Sequence, residues 1–492
     1  MVSSSNILSR AAVAALALSN VATAFWRMPC HGRTGLARID PLVDTGEISD
    51  HAHAIHGGSN FGFTASYDDL MASDCTSCSV KEDKSAYWTP SLHFMYANGT
   101  TVVVPQVGGM LSYYLLYGEN VKAFPAGFRM LAGDGRLRNF SWPVPDPPKS
   151  NWSPEESTQF ALSQKALGFN CLNYKAEAEP TLYRHFMPDK KYLDANCADG
   201  LRLELFFPSC WNGKDLDTRD HKSHMAYSSL VIDGDCPSGF ETRLPSLLYE
   251  TIWATQAFVG AEGQFVLSNG DPTGYGYHGD FINAWDIDFL QRAVDTCTNP
   301  SGRIEDCPLF TIQDDSESNS CKFKMPKKLK DEDCAGPADG LCGNVPIQSG
   351  PDYASHLKAG KTESPSLSEL PSSTVAPTLV PTLSYTSGGV SVTDSQGGGI
   401  VVPAAAATVR VADEAAAPII TAPAMYEADV EDSPKDGKSR STSRYTSDGA
   451  EYHVVIEEEV VTVTATTTTT PHYKRSRHIH HRRSHGQGLK VL

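Results

Sequence analysis

The chain predicts a mainly β protein: a β-sandwich or jelly-roll-like domain with long disulfide-tied loops and few helices, followed by a disordered tail. Three observations carry that expectation. Short runs of β-branched, aromatic or alternating apolar residues recur between Thr101 and Leu267, each bounded by Pro or Gly. All 12 cysteines and all 7 tryptophans lie before Gly350. Beyond that point the composition collapses into Ser, Thr, Pro, Ala and Gly runs, which cannot bury enough apolar surface to offset the entropy of ordering.

In chain order, residues 1–24 read as a secretory signal peptide. Arg10 is its positive end, Ala11 to Leu18 its apolar stretch, and Ala22-Thr23-Ala24 its cleavage site. The globular part is expected over residues 25–348. Strands are expected at Thr101 to Val104, Met110 to Tyr117, Leu201 to Phe207, Ser229 to Ile232, Tyr249 to Thr255 and Gln264 to Leu267. One helix is expected after Asp280, because Ile282, Trp285, Phe289, Ala293 and Val294 recur at three and four residues. No Walker loop, Rossmann fingerprint or nucleophile elbow is present, which disfavours a doubly wound enzyme or an α/β-hydrolase.

The even cysteine count in an exported chain favours disulfides, with Cys75-Thr76-Ser77-Cys78 read as part of that framework rather than as a redox pair. Asn98-Gly99-Thr100, Asn139-Phe140-Ser141 and Asn151-Trp152-Ser153 are glycosylation acceptors and belong on the surface. The formal charge of −17 argues against a nucleic-acid partner. No apolar run reaches the roughly 20 residues of a membrane span, so the product is expected to be secreted, extracellular or cell-wall associated. The tail, residues 349–492, is expected to be a disordered stalk. Val454 to Thr464 is its one conditional strand, and Lys474 to His485 forms a basic, imidazole-rich end suited to polyanions or adventitious metal.

The densest chemistry is Asp50-His51-Ala52-His53-Ala54-Ile55-His56-Gly57-Gly58. In extended backbone the period of two puts His51 and His53 on one face. There they suit two ligands of a divalent metal ion, or a general base with its partner. The bland alternative is a polar loop whose histidines only donate hydrogen bonds. Gly274 to Asp286 adds His278 and Asp280, expected just ahead of a helix N-terminus. Asp280 suits either a helix cap or a catalytic partner. Trp88, His224 and Trp285 are candidate ligand-binding residues, since aromatic faces stack on sugar rings. Their structural alternatives are core packing for Trp285, at helical spacing, and loop anchoring for His224.

The ordered motifs Phe25-Trp26-Arg27-Met28-Pro29-Cys30, Gly35 to Val43, Ser49 to Phe61, Tyr87-Trp88-Thr89-Pro90, Ser223 to Tyr227, Leu244-Pro245 and Gly270 to Asp286 resemble a family of secreted fungal proteins known only as a domain of unknown function. The likeness spans about Phe25 to Cys297. Members often carry WSC modules, cysteine-rich units associated with cell-wall glycans; this chain shows no such module and has the stalk instead. The resemblance brings no established activity, but implies that the His51/His53, His224 and His278/Asp280 segments belong together. The leading expectation is therefore a protein that binds or cleaves cell-wall or extracellular polysaccharide. As an enzyme it would be a glycan hydrolase or lyase, with His51, His53, His278 and Asp280 as catalytic or metal-binding groups. The alternatives are a non-catalytic cell-wall binding or structural protein, and an extracellular metal-binding protein.

Overall fold

The computed structural model describes residues 25–355 and, as a separate unit, the strands Lys438–Ser447 and Ala450–Glu459. In chain order the strands are β1 (Phe25–Cys30), β2 (Gly35–Ala37), β3 (His53–Gly57), β4 (Ala86–Pro90), β5 (Leu92–Tyr96), β6 (Thr100–Val103), β7 (Gln106–Leu115), β8 (Arg129–Gly133) and β9 (Leu167–Leu172). They continue as β10 (Gly200–Phe206), β11 (Cys210–Trp211), β12 (Met225–Ala226), β13 (Thr242–Arg243), β14 (Ser246–Trp253), β15 (Gly263–Leu267), β16 (His278–Ile282) and β17 (Ala338–Asp339). Two five-stranded antiparallel sheets dominate, ordered β1-β7-β14-β10-β9 and β2-β3-β4-β16-β8. A smaller sheet, β15-β5-β6-β17, and a three-stranded one, β12-β11-β13, flank them.

The two large sheets pack face to face, which makes the fold a β-sandwich. Alternation builds the shared core: in β1, Trp26, Met28 and Cys30 point inward while Phe25, Arg27 and Pro29 do not. Trp26 stacks on Tyr114 at 5.0 Å between ring centroids, and Trp285 Nε1 donates to the Tyr114 hydroxyl at 3.1 Å. Across the sheets, the Tyr249 hydroxyl donates to the Asp280 carbonyl at 2.8 Å. Close approach there depends on Gly279, where a Cβ would stand 2.5 Å from Leu205 Cδ2. A second core covers the outer face of the β3-β4-β16 sheet. It joins Ile55, Trp88 and Ile282 to Ile39, Leu42, Phe61 and Phe323 from the covering loops.

All 12 cysteines pair: Cys30–Cys78, Cys75–Cys321, Cys171–Cys197, Cys210–Cys236, Cys297–Cys307 and Cys334–Cys342. Cys75 and Cys78 go to different partners, so their spacing is a stapling device and not a redox motif. Bridges of this kind stabilise small exported domains by typically 2–5 kcal/mol each.

Two expected elements are corrected. Residues 229–232 form a turn with one isolated bridge, Ser228 to Val231, because Val231 takes a positive φ of 68° and the Ser228 hydroxyl donates to the Val231 carbonyl. The helix expected after Asp280 begins later, at Ile287–Thr296, capped by Asp286, whose carboxylate accepts from Phe289 N at 2.8 Å. Residues 278–282 are held in a ladder on both sides, by β4 and β8, and cannot coil. Asp280 is therefore a strand residue, and no helix N-terminus adjoins His278.

Among the described residues, no helix is long and apolar enough to cross a membrane. In the separate unit, Lys438–Ser447 pairs antiparallel with Ala450–Glu459, overlapping the expected strand; 460–464 lie outside the described residues. So do the expected signal peptide, 1–24, the basic end, 474–485, and most of the stalk.

Candidate metal centre

The outer face of the β2-β3-β4-β16-β8 sheet assembles the site through register alone. Ile55 pairs with Trp88, Trp88 with Asp280, Asp280 with Leu131 and His278 with Gly133. The period of two then puts His53 of β3 and both His278 and Asp280 of β16 on that same face. His51 lies two residues ahead of β3, with its ring 4.3 Å from that of His53 and 5.1 Å from that of His278. The loop over Asp40 and Leu42 closes the face, and Asp40 is itself fixed by accepting from Leu42 N and Val43 N at 2.9 and 3.0 Å. Residues more than 200 positions apart thus share one buried volume.

Hydrogen bonding fixes the ring nitrogens. A carbonyl oxygen only accepts, so His278 Nδ1 carries the proton it donates to Gly276 O at 2.9 Å. His51 Nδ1 likewise donates to the Asp50 carboxylate at 2.6 Å. Each ring therefore turns its Nε2 inward, and the two Nε2 atoms face each other at 3.2 Å. Two lone pairs at that distance repel unless a proton or a metal ion lies between them. Nitrogens bound at about 2.0–2.1 Å to one tetrahedral zinc stand about 3.3 Å apart, so the spacing suits shared coordination. The outward hydrogen bonds to a carboxylate and a carbonyl are the supports that metal-bound imidazoles usually have.

His53 stands beside that point, and Asp280 and Asp40 stand behind His53. Both ring nitrogens of His53 and both carboxylate oxygens of Asp280 are fully enclosed and make no hydrogen bond among the described residues. Ligand atoms of His51, His53 and His278 lie within 4.8 Å of one another, as do those of Asp40, His53 and Asp280. Buried orphan polar atoms are costly, and their concentration around His53 is what a cation would relieve. The electrostatics agree. Burial, reinforced by His51, pushes His53 well below the usual imidazole range and His278 down to about 3. Burial raises Asp280 far above a normal carboxylate and Asp40 to about 6, each carboxyl adding to the other acidic charges nearby. Without an ion, burial thus favours the neutral forms of His53, His278 and Asp280, and a cation would favour the ionised carboxylates and the neutral imidazoles together. The lip of the site is formed by His51, 9 % exposed, and His278, 5 % exposed; the rest is closed.

Beside this lip, at the β8 edge of the sandwich, lies a cavity of about 400 Å³ walled by Phe160, Phe240, Tyr275, Met225 and Lys222. Only the turn at residues 133–135 separates it from His278. Gly133 lines the cavity and pairs with His278, while a Cβ on Gly135 would stand 3.0 Å from the His278 ring. Lys222 Nζ donates to Gly133 O at 2.5 Å.

Three other candidates present no open face or free nitrogen to a ligand, although Trp88 neighbours Asp280 in the sheet. Trp88 is fully buried against Phe61, and Trp285 is fully buried with Phe289 stacked on it, so neither offers a face to a ligand. His224 is fully buried with both nitrogens engaged, to Thr218 Oγ1 at 3.0 Å and Arg129 O at 2.8 Å, which anchors its loop to β8. Asp40 heads the histidine segment at an Asp-Pro step but was not among the expected site residues. Phe160 and Phe240 carried no signal in the sequence.

No curated protein and no solved structure matches the chain. A family model described as Domain of unknown function (DUF1996) matches residues 40–285, half of the sequence. That span begins at Asp40 and ends at Trp285, and so contains every member of the cluster. The chain belongs to this family of domains of unknown function.

Proposed function

We propose that this is a secreted glycoprotein whose His51, His53 and His278 hold a divalent metal ion, with Asp280 as the acidic partner behind His53, and that it cleaves extracellular or cell-wall polysaccharide. The observation that carries the reading is the pair of inward Nε2 atoms 3.2 Å apart, with the buried, orphaned His53 ring grouped with them. Bound there, a divalent ion supplies Lewis-acid polarisation of a substrate oxygen. Asp50 and the Gly276 carbonyl orient the rings, Asp40 balances charge behind His53, and the His51 and His278 lip faces incoming substrate. The neighbouring cavity supports a sugar-chain substrate, since its Phe160, Phe240 and Tyr275 rings are of the kind that stack on pyranose faces. Six disulfides and exposed Asn98, Asn139 and Asn151 in the three sequons support the secretory, glycosylated setting.

The test is chain cleavage by the full mature protein on a panel of fungal and plant wall polysaccharides, read as new reducing ends and as ultraviolet absorbance of unsaturated sugars. New reducing ends alone identify a hydrolase, and both signals together a lyase. Activity should vanish with chelator, return with one divalent metal, and be absent from His278→Gln. Cleavage that persists in chelator removes the metal from the reaction. One observation favours a second reading: His53 and Asp280 are fully enclosed, as ligands of structural metal sites commonly are. In that case chelator lowers Tm while no polysaccharide is cut, and the sandwich is a binding module.

A further inference from the structure

Among the described residues, Lys222 is the one cation in the wall of the cavity beside the metal centre. Its ammonium donates to the Gly133 carbonyl at 2.5 Å, and its remaining N–H groups have no protein acceptor there. No carboxylate pairs with it among the described residues, whereas Lys214 and His221 of the same loop stand against Asp215 and Asp217. The ammonium also lies at the edge of the cavity nearest the histidines. Gly133, which accepts from it, pairs with His278, and a Cβ on Gly133 would stand 3.1 Å from His278 Cβ.

The other polar groups of the wall are engaged within the protein. Gln159 donates to Tyr227 O at 3.0 Å and accepts from Tyr227 N at 2.7 Å, while Gln164 donates to Asn139 O at 3.0 Å and accepts from Trp142 Nε1 at 2.8 Å. Both acids are held likewise. Asp220 accepts from Ser223 N, Ser223 Oγ and Thr218 Oγ1 at 3.0, 2.8 and 2.8 Å, and Asp134 from Arg136 N and the Tyr353 hydroxyl at 3.0 and 3.1 Å. Donors of this kind partly compensate a carboxylate, and the ammonium has no such counterpart. The cavity thus offers a ligand the Phe160, Phe240 and Tyr275 rings and one uncompensated positive charge.

We propose that the sugar chain bound here is acidic, a polyuronate, and that Lys222 sets this specificity by taking the carboxylate of a uronate unit in the cavity. The proposal rests on the reading of the cavity as the sugar site beside the metal centre. Aromatic faces hold a charged and a neutral pyranose alike; the ammonium separates them. A neutral chain seated there would cover the ammonium without supplying an anion, which costs affinity.

Short oligomers of polygalacturonate, alginate and glucuronan are the probes, each in its native form and with its carboxyls reduced to alcohols. Calorimetric titration into the full mature chain is done in chelator, where the metal reading predicts no cleavage. At least one acidic oligomer should bind about 10- to 100-fold tighter than its reduced form. Lys222→Met should bring the two affinities together, and Lys222→Arg should keep the preference. Equal affinities for both forms of all three chains, no binding at all, or an undiminished preference in Lys222→Met overturns the proposal. Should Lys222→Met fail to fold, crystals of the unaltered chain with the bound oligomer decide: a carboxylate on Lys222 Nζ supports the assignment, and one held elsewhere refutes it. Failure here and failure of the metal reading are separate results. Acidic oligomers bound through Lys222 with no chain cleaved keep this site and remove the catalysis, while metal-dependent cleavage of neutral chains alone does the reverse.

Discussion

The two faces of β3 invite comparison. Outward, His53 meets two imidazoles and the carboxyls of Asp40 and Asp280; inward, three residues later, the charges that act on His56 are those of Arg33 and Lys322. Both rings are fully buried. Burial depresses both, His56 to about 3 and His53 well below the usual imidazole range. What separates them is the charge of the shell. A pleated strand shows alternate residues to different layers of the protein, so one short histidine-rich segment can place its rings among charges of opposite sign.

The largest expected effect comes from replacing the shared ligand on the outer face. His53→Leu should abolish metal binding to the folded domain, read by isothermal titration with zinc. Unchanged zinc binding would remove His53 from the ligand set. The metal-free variant should be as stable as the metal-free wild type or more so, because an apolar side chain replaces two orphaned polar atoms in a closed volume.

Next in size is Asp50→Asn. The Asp50 carboxylate holds His51 Nδ1 at 2.6 Å, and removing such a support typically costs 10–100-fold in metal affinity. Circular dichroism should show an unchanged fold, since Asp50 lies at the rim and not in the ladder. An affinity equal to wild type would remove His51 from the ligand set.

The smallest effect is one of pH. Asp40 is raised to about 6 and Asp280 also upward, so below that range an incoming ion must displace protons from the acids around His53. Raised carboxyls contribute stability to the metal-free fold that is present in acid and lost as pH rises through the folded pKa. The gain in Tm on adding zinc should therefore grow between pH 5 and pH 7. Lowered histidines act the other way, contributing stability above about pH 6.5 that is lost as pH falls. On the inner face His56 and His93 stay neutral to about 3 and about 4 and so add nothing to that dependence over the same interval. A zinc gain that is flat from pH 5 to pH 7 would contradict the role given to the raised acids.

Local rules made part of this legible in the sequence. The antiparallel β class follows from short punctuated apolar runs, and the adjacency of His51 and His53 from their spacing, because both depend only on period two. The 278–282 segment was misread, since Ile282 continues the apolar spacing of the helix that begins at Ile287; what overrides that pattern is pairing to β4 and β8, which no local window shows. Trp88 was a candidate sugar platform because composition does not distinguish an aromatic shelf from an aromatic core, whereas the helical spacing of Trp285 already pointed to the core packing it shows. Asp40 joins the cluster only because a loop folds back over the sheet, and Phe160 and Phe240 reach the cavity from segments with no chemical signature.

The central claim is that one metal ion sits among His51, His53 and His278. Metal analysis of the whole chain is ambiguous, because the histidine-rich end at residues 474–485 offers ligands of its own. A map of anomalous scattering above and below the zinc edge, from crystals grown with equimolar zinc, separates the two. The account predicts one peak about 2.0–2.1 Å from His51 Nε2, His278 Nε2 and a His53 nitrogen. An ordered sandwich with no peak there, and a single proton shared between His51 and His278, would contradict it.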